Sequence, residues 1–414
     1  MEELLVDENE VKKPKKRKKT EFWKGFFCAI VVLAVAAGIW IVANLFFEIK
    51  RVPKDKGALV TQQEDVQTKL GYLEAYIRGY YLDEIDDKQM EDYLYYGLIA
   101  GLGDPYAAYY NEEETQSMMD SSSGNYCGIG AVFSQNLITG IVTVTRVYEG
   151  CPSYEAGLLP GDILYKVQGE DVAGQDLTSV VTRIKGEEST EVTLTMIRGE
   201  EELEFTMKRQ MIEVPTIEYE MMADQMGYIM ISEFDGVTDE QFLAALDDLQ
   251  SQGMRGLVID LRNNGGGSVE SVCNIADALL PEGPIVYTEY KGEERTSRDS
   301  DGECINLPMA VLINGSSASA SEILSGALQD YEKAVIVGTQ SYGKGIVQSV
   351  FDLQDGTALK LTTAKYYTPD GNDIHGVGIT PDIEIDLPEE LKTEVTLSLE
   401  EDVQLQKAIE VLQQ

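Results

Sequence analysis

The chain has 414 residues, of which 43% are hydrophobic, and a formal net charge of −39 at pH 7. This length exceeds what one compact core usually holds, so two or three globular domains are expected. A chain this acidic lacks the cationic surface that a phosphate backbone demands, which excludes nucleic acid from the expected partners.

The first predicted element is a membrane-spanning helix over residues 26–47. These 22 residues carry no charge, and as a helix they extend about 33 Å, against a hydrocarbon core of about 30 Å. The basic tail of residues 1–25 lies in the cytoplasm by the positive-inside rule. We therefore predict a single-pass protein of the cell membrane whose catalytic part is extracytoplasmic. A cleaved signal peptide fits less well, because residues 44–47 offer no small-residue cleavage site.

A helical segment is predicted over residues 57–118. Leu70, Leu73 and Ile77 recur there at near-helical spacing. A breaker cluster at residues 101–105 ends this pattern, and the polar residues 119–124 are predicted to be a linker. A new domain should therefore begin near residue 124.

Short alternating runs then predict a small β domain over residues 124–209. The expected strands are residues 131–133, 141–146, 163–167, 192–197 and 203–207. After residue 217 the order changes to strand, glycine turn and helix, which indicates an α/β domain over residues 211–390. Its expected strands are residues 227–232, 256–261, 284–289, 310–313, 334–337, 346–353 and 358–366, with helices over residues 239–250 and 269–280. The acidic tail of residues 391–414 should contain a short helix over residues 399–412.

A serine-rich turn, which includes Ser319, follows the strand at residues 310–313 and opens an apolar-periodic helix. The free amides and positive dipole at a helix N-terminus stabilise developing negative charge, which suits a nucleophile. Taken alone, the pattern favours a plain N-cap with Glu322 as its capping-box partner. Residues 265–267 are three glycines after a buried strand, and they allow backbone amides to approach an oxyanion. An ordinary flexible turn explains those glycines equally well.

Lys344 lies in a glycine-flanked turn 25 residues after Ser319. Since the only histidine, His375, lies in a polar turn typical of a solvated loop, a histidine base or metal ligand is not expected. A desolvated lysine can take a serine proton instead. The turn also resembles a phosphate-binding loop, but Gly345 replaces the magnesium-binding Ser or Thr and a strand pattern follows. The five cysteines show no metal-ligand spacing, and whether any pair forms a disulfide stays open.

Together, these residues resemble the C-terminal processing peptidases, also called tail-specific proteases. That family carries its nucleophile in a SASE box, its lysine base in a YGKG box, and a DLRxNxGG loop at the oxyanion hole. The resemblance implies Ser319 as nucleophile, Lys344 as base and Gln348 as the group that orients the lysine. Glu322, the acidic member of the SASE box, would support them. It further implies a serine-type endopeptidase that forms an acyl-enzyme and needs no cofactor or metal.

The same resemblance assigns the oxyanion hole to the backbone amides of Ala320 and of Gly265 or Gly266, and leaves the choice of glycine open. The implied fold is an α/β core of the crotonase/ClpP-like type with an inserted mainly-β domain. An N-terminal helical segment and the transmembrane helix precede it. Residues 102–106 also resemble a family box, although Ala107 stands where Ser is often found.

The inserted domain resembles a PDZ domain, on the Gly-Ile-Gly-Ala run and residues 156–164. Such a domain adds a peptide strand to its sheet edge and binds the terminal carboxylate with loop amides. The resemblance assigns this binding to Gly128, Ile129, Gly130 and Ala131. Expected partners are therefore protein or peptide substrates with exposed, unstructured C-termini, and the cell membrane. Self-association into a homo-oligomer is left open.

Two other functions compete with proteolysis. The first is a catalytically silent PDZ scaffold that binds C-terminal tails at the membrane, although a scaffold has no physical need for a neutral lysine facing a serine. The second is an acyl-transfer or hydratase enzyme with a similar glycine-amide oxyanion hole. It would need a cofactor pocket, for which the sequence shows no signature.

Overall fold

The computed structural model describes residues 62–136, 139–392 and 397–413. The predicted basic tail and the predicted membrane segment at residues 26–47 lie outside the described residues. Within the described ranges, no helix combines the length and the apolar character needed to cross a membrane. The chain divides into two compact units, Met1–Asp86 and Asp87–Gln414.

The described part of the first unit contains one long helix, α1 (Gln62–Tyr80). Arg78 pairs with Glu74 one turn earlier at 2.9 Å, and the rings of Tyr76 and Tyr80 stack with centroids 5.9 Å apart. Such (i, i+4) contacts stabilise a helix locally. The near-helical spacing at the start of the predicted helical segment is thus confirmed.

The second unit begins with helix α2 (Asp87–Ala100), strand β1 (Ala108–Tyr110) and helix α3 (Glu112–Ser123). The prediction of a linker at residues 119–124 is wrong, because all but the last of these residues lie in α3. The Asn111 side chain accepts the Glu114 amide, and the Glu114 carboxylate accepts the Asn111 amide, each at 3.0 Å. This capping box and the acidic first turn stabilise a helix whose serines have modest propensity.

The inserted β domain begins at β2 (Asn125–Gly128), close to the predicted residue 124. It continues with β3 (Ala131–Gln135), β4 (Val142–Val147), β5 (Ile163–Val167), β6 (Glu170–Asp171), β7 (Glu191–Arg198), β8 (Glu201–Lys208) and β9 (Gln210–Glu213). The main sheet has the order β3-β4-β5-β7-β8, with β6 beside β5, and β2 pairs with β9. Two helices that the alternation did not predict, α4 (Pro152–Ala156) and α5 (Leu177–Ile184), complete the domain. The five strand predictions are confirmed, and β3 is an edge strand.

The α/β region carries ten strands among its described residues. They are β10 (Ile217–Met221), β11 (Met226–Ile231), β12 (Gly256–Asp260), β13 (Gly283–Tyr290), β14 (Thr296–Ser300), β15 (Met309–Ile313), β16 (Ala334–Gly338), β17 (Ile346–Asp352), β18 (Ala358–Tyr367) and β19 (Ile383–Glu384). Its helices are α6 (Thr238–Ser251), α7 (Val269–Asp277), α8 (Ala320–Asp330) and α9 (Val403–Leu412), and two short 3-10 turns lie at Ala223–Gln225 and Glu389–Leu391.

These strands form two sheets. One has the order β10-β11-β12-β15-β16-β19 and is parallel except for β10. The other is antiparallel, with the order β1-β18-β13-β14 and β17 beside β18. The short strand β1 thus joins the segment before the inserted domain to the antiparallel sheet. Two strands of that sheet, β17 and β18, follow Lys344 in sequence.

The parallel sheet is covered on both faces, as a fully buried β12 requires. Leu257 and Ile259 point into a core shared with α6, α7 and α8, whereas Val258 points to the opposite face against α9. Arg262 joins α9 to the end of β12, since its guanidinium lies 2.5 Å from Asp260 and 2.7 Å from Asp402. The strands β10, β14 and β19 were not predicted, because exposed polar residues or very short length hide their pattern.

Candidate active site

Ser319 lies at the N-cap of α8, directly after the buried strand β15 and a short turn. Its backbone has φ +57° and ψ −113°, a conformation that costs a serine about 1–3 kcal/mol. The strained turn bends the chain from strand to helix and leaves the side chain half-buried rather than packed in the core. This is the position that the serine-rich motif predicts.

The Glu322 side chain, fully buried in the first turn of α8, organises two loops. Its Oε2 accepts the backbone amides of Ser319 and Lys344, each at 2.8 Å. Its Oε1 accepts the Gly343 amide at 2.6 Å and the Ser341 hydroxyl at 2.5 Å. One carboxylate therefore fixes the backbone of the predicted nucleophile and of the predicted base at the same time. It is more than the plain cap partner that the local pattern alone favours.

The glycine loop after β12 packs against the Ser319 turn. Gly266 has φ +102°, and a Cβ there would lie 2.7 Å from the Ala318 carbonyl oxygen and from Ser319 Cβ, so only glycine fits. The Gly266 amide donates to Asn264 Oδ1 at 2.8 Å, whereas no hydrogen bond occupies the Gly265 or Ala320 amide among the described residues. Of the two predicted glycines, Gly265 thus has the free donor.

Lys344 follows the turn that Glu322 holds, and its side chain is half-buried. Burial and the nearby Lys360 lower the pKa of Lys344, while Glu322 acts in the opposite direction. Its Nζ lies 4.9 Å from the ring centroid of Tyr106. Among the described residues no hydrogen bond joins this nitrogen to Ser319 Oγ, so the structure brings the two loops together without connecting the two reactive atoms.

Gln348, on β17, stands directly opposite Thr362 of β18. Its Nε2 is buried and has no hydrogen-bond partner within the described part of the chain, and the same holds for Thr362 Oγ1. A buried donor without a partner costs about 1–3 kcal/mol. No hydrogen bond joins the Gln348 side chain to Lys344 among the described residues, so the predicted orienting contact is not formed.

Tyr366 was not predicted as a site residue. Its side chain is buried, its hydroxyl donates to the Lys344 carbonyl, and the same hydroxyl faces the Ser319 side chain. Burial raises the pKa of Tyr366 above its ordinary value. The sequence shows Tyr366 only as one residue of an alternating strand, so no local signal distinguishes it from a core tyrosine.

Comparison with known proteins agrees with this geometry. Residues 225–385 match peptidase family S41, and residues 143–198 match the PDZ domain. A protein of Staphylococcus aureus strain MRSA252 named "Probable CtpA-like serine protease" is 34% identical over 379 residues, which cover 90% of this chain and 74% of that protein. The chain belongs to peptidase family S41.

A second relative and a solved structure are similar to this chain over a comparable length. A protein of the same name from Staphylococcus haemolyticus strain JCSC1435 is 32% identical over 378 residues, which cover 90% of this chain and 75% of that protein. A solved structure from Bacteroides fragilis NCTC 9343, assigned to the S41 proteases, has a TM-score of 0.51 at 18% identity and shares the fold over 88% of this chain. The chain is thus a serine-type peptidase of a C-terminal processing family with a PDZ domain. The predicted boundaries of residues 124–209 enclose the PDZ match.

In this S41 peptidase the Gly-Ile-Gly-Ala run joins β2 to the edge strand β3. Ile129 is buried in the PDZ core, so only its backbone is available to a peptide. The Gly130 amide faces the Tyr126 hydroxyl, and Lys185 Nζ lies 4.9 Å from the Tyr126 ring centroid. The structure therefore places the predicted carboxylate-binding residues at the start of an edge strand.

The remaining titratable candidates include His375, whose backbone packs against Gly345, the residue after Lys344. His375 is exposed in a loop, as predicted. Within the described residues no cluster of three His, Cys, Asp or Glu side chains is arranged to hold a metal ion. The four described cysteines, Cys127, Cys151, Cys273 and Cys304, are unpaired. A strand, β17, follows Lys344 instead of the helix that a nucleotide-binding loop requires.

Proposed function

We propose that this protein is a membrane-anchored serine endopeptidase in which Ser319 is the nucleophile and Lys344 the general base. The observation that carries the proposal is the shared carboxylate of Glu322, which binds the backbone of both residues. A core without chemistry has no need to bury one carboxylate between a strained serine and a partly desolvated lysine.

In the proposed reaction, neutral Lys344 takes the proton of Ser319 Oγ as that oxygen attacks the peptide carbonyl. The free amides of Ala320 and Gly265 donate to the oxyanion that forms. Lys344 then returns the proton to the leaving amine, which departs and leaves an ester on Ser319. A water molecule hydrolyses the ester by the same route and releases the new C-terminus.

The base must move to begin this sequence, because Lys344 Nζ is not hydrogen-bonded to Ser319 Oγ. Rotation of the Gln348 amide by 180° would place its carbonyl oxygen at the buried position, where it could accept an N–H of the lysine. That contact would orient the lysine lone pair.

We further propose that the PDZ domain recognises the C-terminus of an unfolded substrate at the Gly-Ile-Gly-Ala run. A peptide strand added to β3 would use main-chain hydrogen bonds for affinity, and loop amides would bind its carboxylate. Lys185 lies beside this loop, and because Asp120 of α3 pairs with it at 3.1 Å, a peptide carboxylate would compete with Asp120 for this cation. The substrate is therefore selected by its terminus and cleaved at some distance from it.

A cleavage assay with the purified full chain tests this function. An unfolded model protein that ends in an apolar free carboxylate should be cut at least about tenfold faster than the same protein with an amidated terminus. If the protein with the amidated terminus were cleaved at the same rate as the one with the free carboxylate, C-terminal recognition would be contradicted. Tail binding without cleavage by the parent and by Ser319→Ala alike would favour the silent scaffold instead.

We also propose that residues 26–47 anchor the protein in the cell membrane, with the catalytic part outside the cytoplasm. The proposal is supported by the length of the uncharged run and by the basic residues before it. The full chain should stay in the membrane fraction after an alkaline carbonate wash, and deletion of residues 26–47 should release it. Release of the full chain by the same wash would contradict a spanning anchor.

A further inference from the structure

Tyr106 lies against the side chain of Lys344, although it comes from the far side of the PDZ domain in sequence. The distance of 4.9 Å from Lys344 Nζ to the ring centroid lies within the range of about 6 Å at which an aromatic face attracts a cation. Tyr106 belongs to none of the three boxes that supply nucleophile, base and glycine loop. The contact therefore brings a fourth segment to the site.

The position of Tyr106 is fixed by the strand that also supports the base. Asp104 Oδ1 accepts the Tyr106 amide at 2.9 Å. Two residues after Tyr106, Ala108 pairs with Lys360 of β18. The turn that carries Tyr106 is thus attached to β18, the direct neighbour of β17.

The charged groups that face Lys344 act in opposite directions on its proton. Lys360, from β18, disfavours the ammonium form, and Glu322, from α8, favours it. The Tyr342 phenol faces the Tyr106 phenol, and the Tyr366 hydroxyl donates to the Lys344 carbonyl. An aromatic face binds the ammonium form and has no comparable attraction for the neutral amine.

We propose that Tyr106 is a positioning residue for Lys344, whose ammonium it holds on its ring face beside Ser319. This inference rests on the proposed function, in which Lys344 is the base. When the ammonium gives its proton to water, its attraction to the ring disappears and the neutral amine is free to turn toward Ser319 Oγ. Release of the base from the ring is thereby coupled to its conversion into the reactive form.

The test is the pH dependence of kcat/KM for the full chain and for three variants. In Tyr106→Leu the ammonium form of Lys344 loses its attraction to the ring, which lowers the pKa of the lysine. The acidic limb of the pH profile, in which kcat/KM rises with pH, should therefore move to lower pH by about 0.5–1.5 units. The rate on the alkaline plateau should stay within about threefold of the parent. Tyr106→Phe keeps the ring face and should follow the parent. Tyr165→Leu is the matched control, because the Tyr165 ring faces Lys166 of the inserted domain, 4.2 Å from its centroid, and the acidic limb of this variant should not move.

A serine-directed fluorophosphonate supplies a second readout, since the pH dependence of Ser319 labelling should shift in the same way. An unmoved limb in Tyr106→Leu, or an equal shift in Tyr106→Phe, overturns the inference. If Lys344→Ala cleaves like the parent, the proposed function itself has failed. If Lys344 is required and the limb of Tyr106→Leu is unmoved, only the role of Tyr106 has failed. Tyr106→Met gives the same comparison should the leucine variant not fold.

Discussion

The full chain carrying Lys344→Met is expected to lose at least about 1000-fold in kcat/KM toward an unfolded substrate, and Ser319→Ala should lose a similar factor. Without the amine the serine lacks its base, because the Tyr366 hydroxyl that faces the Ser319 side chain has its pKa raised by burial and stays protonated. The double variant should be no slower than either single variant, because residues that act as one unit are not additive. Steady-state cleavage of the tailed substrate measures all three.

The direction of the pH dependence follows from the same lysine. Because Lys344 works as a neutral amine, activity should rise as the pH increases through its pKa. Burial and Lys360 lower that pKa, which moves the acidic limb below the range of a free lysine. Lys360→Met should therefore return the limb toward higher pH. Lys365→Met is the control, since Lys365 lies on the same strand and pairs instead with Asp373, 3.6 Å away. A shift of equal size in both variants would contradict the assignment.

The order of strands and helices was predictable wherever burial leaves a clear pattern of apolar residues in the sequence. Every residue of β12 and β15 is buried, and both strands were predicted within one residue of their observed ends. The last part of helix α3, residues 119–123, was not, because its serines suggest a linker. Asn111 and Glu114 cap the start of this helix reciprocally, and an Asn followed three residues later by Glu is a helix-start pattern that the serines outweighed.

The three sequence boxes identified the region of chemistry, but they could not show how its atoms meet. Ser319 and Lys344 are joined through Glu322, and a contact between residues that are 22 positions apart has no sequence signature. Tyr106 and Tyr366 approach Lys344 only because β1 and β17 flank β18. The choice of Gly265 over Gly266 as the free donor depends on the Asn264 side chain, which sequence spacing does not orient.

Glu322→Gln is expected to lower kcat/KM by about 100–1000-fold and the free energy of unfolding by about 2–4 kcal/mol. The amide keeps the volume of the carboxylate but replaces one acceptor oxygen with an NH2 group. Whichever way that amide turns, its NH2 meets two donors, either Ser319 and Lys344 or Gly343 and Ser341. The loops of the nucleophile and of the base must then separate. Chemical denaturation and cleavage kinetics measure the two losses independently.

Asp402→Asn is the matched control, because it neutralises another buried carboxylate that contacts Arg262 instead of the reaction site. This variant should lose stability while its folded fraction keeps the parent rate of fluorophosphonate labelling. Glu322→Gln should lose labelling even at temperatures where it is fully folded. If both variants kept the parent labelling rate, the Glu322 carboxylate would serve folding alone. The strained backbone of Ser319 would then need another partner to hold it beside Lys344.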